Sequence, residues 1–147
     1  NKMKNNTSFV SKSKYLFLLL LFTACGPRKE ASVTRVTDAG KVRLPMVLSS
    51  LVGKREGYKA NAEMKFVDSG SRDTLVIRFT LEPGVPTKFV RGEYSWKTLQ
   101  GDVTCSSVDF FGGQGGVPSI GGNFAFTMSD GAKYVVYLPT TEMKLGR

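Results

Sequence analysis

Residues 58–82 alternate apolar and polar side chains with a period of two, and that period constrains the fold more than any other feature. Tyr58, Ala60, Ala62, Met64 and Phe66 take one phase; Lys59, Asn61, Glu63 and Lys65 take the other. Successive side chains of an extended strand point to opposite faces, so the pattern predicts a strand buried on one face and solvated on the other. Leu75, Ile77, Phe79 and Leu81 repeat it, opposite Arg78, Thr80 and Glu82. Between the two runs, Asp68-Ser69-Gly70-Ser71-Arg72-Asp73 is a cluster of turn formers, which makes the pair a hairpin.

Further strands are expected over residues 41–47, 88–97, 102–110, 123–128 and 133–138. Pro83-Gly84-Val85-Pro86, Gln100-Gly101-Asp102 and Ser129-Asp130-Gly131 separate them, and Asp130-Gly131 is a short-hairpin signal. No long window has helical spacing; residues 46–52 are expected to supply at most one short turn or helix. About seven short strands with turns every 8–12 residues predict an all-β domain, an antiparallel β-sandwich or small barrel. There is no internal repeat.

The N-terminus has a different character. From Met3 a polar stretch with three lysines runs to Lys14. Tyr15-Leu16-Phe17-Leu18-Leu19-Leu20-Leu21-Phe22 is then apolar, and Thr23-Ala24-Cys25 closes the segment with small residues. This three-part order is that of a secretory signal. The apolar stretch, about ten residues, is too short for an ordinary spanning helix. Leu21-Phe22-Thr23-Ala24-Cys25 resembles the lipobox of bacterial lipoproteins, departing from the commonest pattern with Phe22 three before the cysteine. The resemblance covers residues 1–25 only. It implies that the Cys25 thiol receives diacylglycerol and that cleavage leaves it as the first residue, anchored by its acyl chains. Gly26 follows, where lipoproteins held in the inner membrane often carry Asp, so the resemblance favours the outer membrane. The expected organisation is a signal over 1–25, a polar tether over 26–32 and a β domain over 33–147.

Composition narrows the chemistry. A chain of 147 residues fits one domain. Four of the 21 basic residues precede Cys25 and all 12 acidic ones follow it, leaving 17 against 12, or +5, for the rest. Those cations are scattered, with no run longer than two, which reads as a mixed solvated surface with no nucleic-acid partner. The chain has no histidine, which excludes Ser-His-Asp and Cys-His catalysis and the commonest metal ligand. With Cys25 acylated, Cys105 has no intramolecular partner, so disulfides do not build this fold.

Candidate sites follow from what remains. Residues 112–122 hold six glycines in eleven positions, a stretch that permits close approach of another group. Without a lysine and leading into a strand, it is no phosphate loop. Gly112-Gly113-Gln114 matches the tripeptide of peptide release factors, a coincidence in a chain with an export signal. A connection between strands is the plain reading; a recognition loop using Gly112, Gly113, Gln114, Gly115, Gly116 and Ser119 is the alternative. Tyr94 and Trp96 share one strand face, with Phe89 and Arg91 on the other; they are either core or a flat platform for sugar rings. Cys105 reads as a small buried hydrophobe. Asp68 and Asp73 lack the spacing of a calcium loop. No metal or cofactor is expected, and no carboxylate pair stands out as acid and base.

The expected role is therefore binding, without catalysis. The leading expectation is a lipid-anchored lipoprotein of the cell envelope, with a membrane partner through Cys25 and an envelope protein or other component as ligand. A glycan- or ligand-binding lipoprotein accessory to uptake is the second. A histidine-free hydrolase using Asp109 or Glu93 is the third, and it requires a cleft where those carboxylates converge.

Overall fold

The structure, a computed structural model, describes residues 30–112 and 116–146. The signal segment, Cys25 and most of the tether lie outside the described residues, as do Gly113, Gln114 and Gly115. The described chain is all-β. In chain order the strands are β1 (Ser32–Thr37), β2 (Gly40–Arg43), β3 (Met46–Glu56), β4 (Lys59–Asp68), β5 (Thr74–Glu82) and β6 (Lys88–Trp96). They continue with β7 (Leu99–Asp102), β8 (Thr104–Phe111), β9 (Ser119–Thr127), β10 (Lys133–Glu142) and β11 (Lys144–Leu145).

Two sheets pack face to face as a sandwich. One has the order β2-β1-β10-β9-β8, the other β11-β3-β4-β5-β6-β7. Every pairing is antiparallel except that of β11 with β3. The buried phase of β4 (Ala62, Met64, Phe66) and that of β5 (Leu75, Ile77, Phe79, Leu81) meet Phe124, Phe126, Val136 and Leu138 from the other sheet. Phe79 and Phe124 join the sheets with ring centroids 5.0 Å apart. Each of the buried Val, Leu, Ile, Phe and Met side chains contributes about 1.5–3 kcal/mol through burial.

The two expected hairpins form. Asp68 Oδ1 accepts hydrogen bonds from the N–H groups of Gly70 (2.8 Å) and Ser71 (3.0 Å), and Arg72 closes the turn at φ 70°. Between β9 and β10, the Met128 N–H donates to Ala132 O and the Gly131 N–H to Met128 O. Gly131 sits at φ 88°, a left-handed position that glycine occupies without steric cost.

Four local expectations need correction. Residues 46–52 are no helix but the first part of β3, an eleven-residue strand. The register shifts between Leu48 and Ser50, and that extra residue spaces Met46, Leu48 and Leu51 unlike a plain alternation. Tyr58 is not the first core residue of β4: it stands in the Gly57-Tyr58 turn, 70% exposed. The expected strand over 102–110 is split at Val103, where the chain leaves the six-stranded sheet for the other. Val103 is buried there, its N–H donating to Gly92 O. Phe89 does not face away from the core with Arg91. A shift between Thr80 and Leu81 pairs Leu81 with Phe89 and turns that ring inward, 6.2 Å from Phe124. β1 also begins at Ser32, the last residue of the expected tether.

The register fixes the two ends of the sandwich. The Gly57-Tyr58 turn, the 83–87 loop, the end of β8, the start of β9 and the end of β10 share one end. The Phe110 N–H donates to Thr87 Oγ1 across it, 3.1 Å away. The turns at 38–39, 69–73, 97–98 and 129–131 share the other.

Candidate functional site

The solvated phase of the six-stranded sheet builds the best candidate. Across β3 to β7 the register places Val52, Glu63, Arg78, Glu93 and Asp102 in one row, each opposite the next. Lys54, Asn61, Thr80 and Arg91 form the neighbouring row. These two rows line a hollow of about 540 Å³ on the outer face of the sheet. Alternation puts the polar phase there for the same reason that it puts Ala62, Met64 and Phe79 in the core.

Part of this hollow is internally satisfied. Arg78 Nε donates to Glu63 Oε2 at 2.8 Å, and Lys65 lies 3.8 Å from the same carboxylate. A second chain runs from Thr80 Oγ1 to Asn61 Oδ1 (2.8 Å) and from Asn61 Nδ2 to Glu56 Oε1 (2.7 Å). Thr80 is the one buried polar side chain among the described residues, and this bond satisfies it. Glu56 also pairs with Lys54 at 3.4 Å.

The rest is uncommitted. Among the described residues, Arg91, Glu93 and Asp102 form no ion pair, although Glu93 and Asp102 stand directly opposite on adjacent strands. Like charges in that position repel. The hollow thus offers a guanidinium on one strand position and two carboxylates nearby, beside amide and hydroxyl groups whose directions are already set. Such an arrangement suits noncovalent capture of a ligand bearing both donors and acceptors.

The residues singled out in the sequence fall elsewhere. Tyr94 and Trp96 are each 4% exposed and belong to the core. Tyr94 stacks on Phe126 at 4.2 Å, while Trp96 stands edge-on to Tyr134 at 5.2 Å and to Phe126 at 6.4 Å. The contact platform expected of them is therefore corrected: their strand face is the inner one. Gly112 and Gly116 are exposed at the loop end, while Gly113, Gln114 and Gly115 lie outside the described residues. Ser119 is half-buried as the first residue of β9, opposite Phe111 and Glu142. The glycine-rich connection is thus shorter than 112–122, because Gly121 and Gly122 belong to β9. A Cβ on Gly122 would lie 2.5 Å from Ser107 O, so glycine lets β8 approach there.

Cys105 packs half-buried beside a shift in register on β8, its thiol 3.2 Å from Ser107 O. Burial pushes that thiol's pKa up, away from the reactive thiolate. Asp68 is occupied by its turn: the N–H groups of Ser71 and Gly70 hold its carboxyl below the usual value. Glu93 lines the hollow, but Asp109 sits on β8 in the other sheet, opposite Gly121, so the two do not share a cleft. The sequence signal that marks the hollow is the polar phase of β4 and β5 itself, with Glu63 and Arg78 as opposite charges on one hairpin. Comparison with family models, with curated proteins and with solved structures finds no match.

Proposed function

We propose that this chain is a lipid-anchored protein of the bacterial cell envelope that works by binding a protein or peptide segment at the outer face of its six-stranded sheet. The observation that carries the binding site is the hollow where Arg91, Glu93 and Asp102 remain unpaired beside the bonded Glu63–Arg78 and Thr80–Asn61–Glu56 groups. The anchor rests on the signal ending in Cys25. Two or more acyl chains, each CH₂ contributing about 0.8 kcal/mol, hold a protein stably at a bilayer. The glycan reading has lost its stacking surface, since Tyr94 and Trp96 are core residues.

A photo-crosslinking amino acid in place of Arg91 tests the surface, with one in place of Tyr137 on the other sheet as control. Position 91 is expected to trap a discrete envelope protein that position 137 does not. Equal or absent adducts at both would refute the assignment. Mass spectrometry of the mature N-terminus tests the anchor separately: a peptide beginning before an unmodified Cys25 would overturn it.

A further inference from the structure

The exposed large apolar side chains of the described residues are not scattered. Five of the eight, Tyr58, Val85, Phe111, Val117 and Leu145, lie at or near the end that carries the Gly57-Tyr58 turn. Val85 is fully exposed at the crest of the 83–87 loop, and Tyr58 and Phe111 are 70% and 57% exposed. They come from four separate segments, so no local pattern requires them to be together. An apolar end of this kind, rimmed by long cations, matches a lipid interface, where the ring or aliphatic group enters and the ammonium group stays in the headgroups. Lys59 Nζ lies 5.6 Å from the Tyr58 ring, and Arg55 stands over Phe110 at 5.8 Å.

The chain's connection to Cys25 selects the occupant. β1 runs antiparallel to β10, and Ser32 pairs with Tyr137, so the residues before Ser32 leave toward the Glu142 end, which is this apolar end. From Tyr137 to Glu142, β10 advances roughly 17 Å toward it. Seven residue steps separate Ser32 from Cys25 and span at most about 25 Å. The tether thus leaves in the direction of the apolar end and is long enough to bring that end onto the bilayer that holds the anchor.

We propose that this end of the sandwich, with Val85, Phe111 and Tyr58 at its crest, inserts shallowly into the bilayer in which Cys25 is anchored and orients the domain there. The inference rests on the lipid-anchor reading above. Glu56, Glu82 and Glu142 offset the cations at this end, so apolar insertion, not charge, holds it.

The test uses the full chain in a Cys105→Ser background, purified from membranes and reconstituted in phosphatidylcholine vesicles with brominated acyl chains. A fluorescent thiol probe is placed by V85C at the apolar end or by L99C at the opposite end. The probe at 85 is expected to be blue-shifted and strongly quenched, and the probe at 99 neither. The difference should persist at about 0.5 M salt, where exposed charges are screened within a few ångströms. With acylation of Cys25 confirmed by mass, equal quenching at the two positions, loss of quenching in salt, or a dimer whose position-85 probe is reached by no lipid would each overturn the inference alone. An unacylated chain would overturn the anchor reading and remove the tether on which the inference depends.

Discussion

Replacing Trp96 by alanine separates a core residue from a contact residue by magnitude. Trp96 is 4% exposed and meets Phe126 and Tyr134 edge-on, and Lys97 Nζ caps its ring at 4.8 Å. Truncating a buried Trp removes its transfer free energy and leaves a cavity, together about 3–5 kcal/mol. With a urea m-value near 2 kcal/mol/M, the unfolding midpoint falls by about 1.5–2.5 M. Trp96→Phe keeps a ring against Tyr134, and Nε1 has no hydrogen-bond partner to lose, so it costs about 1–2 kcal/mol. Trp96 is the chain's single tryptophan, so the alanine variant must be followed by far-ultraviolet circular dichroism. A surface platform would move the midpoint by no more than about 0.25 M, the effect of an ordinary surface substitution. That small shift, in a folded Trp96→Ala protein, would refute the assignment of this strand face to the core.

Three further outcomes are expected. Cys105 should react with iodoacetamide more slowly in the folded protein than in urea, and its rate should rise at a higher pH than that of a free thiol, because burial raises its pKa. A rate profile matching the unfolded chain would contradict this. Asp68, whose carboxyl is held below its usual value by backbone donors, adds stability that is complete above that value and lost as pH falls below about 4 toward the lowered one. Urea midpoints between pH 5 and 2 should therefore decline more steeply for the wild type than for Asp68→Asn, and parallel curves would count against the bonding. Gly131→Ala, forced to φ 88°, should cost about 1–2 kcal/mol in thermal unfolding, whereas an unchanged midpoint would contradict the turn.

The β4–β5 and β9–β10 hairpins are legible in the sequence because strands and turns both obey local rules there. Leu75 to Leu81 alternate, and Gly131 supplies the positive φ that its turn requires. β3 is obscured because one extra residue near Ser50 breaks the period that marks its neighbours. The same cause hides Phe89, which a shift in pairing turns inward. Val103 is apolar and in phase with Cys105, so nothing local shows that the chain changes sheets there. Periodicity also shows that Tyr94 and Trp96 share a face without showing which face is inner; only Phe126 and Tyr134, some 30–40 residues away, decide that. For the hollow, the sequence displays a polar phase but not its registry. That Glu63 bonds Arg78, and that Glu93 stands between Arg78 and Asp102 without forming an ion pair, depends on pairings between strands.

The registry also relates the hollow to the apolar end. Lys54 and Asn61 stand opposite each other about three residues back from the Gly57-Tyr58 turn, which is about 10 Å along the strands. On the proposed orientation, the row containing Arg91 lies just above the headgroups, and the row containing Glu93 and Asp102 lies one or two residues higher. The outer face of the sheet then opens sideways along the membrane. A ligand reaching it from a neighbouring membrane protein needs only a short extramembrane segment, and confinement of both partners to one surface raises their effective concentration. Weak, mixed-charge contacts suffice under that condition, and weak contacts are what exposed pairs such as Glu63–Arg78 supply, at about 0.2–1 kcal/mol each. Charges on this face can therefore change with the partner while the opposite phase of the same strands continues to hold the sandwich together.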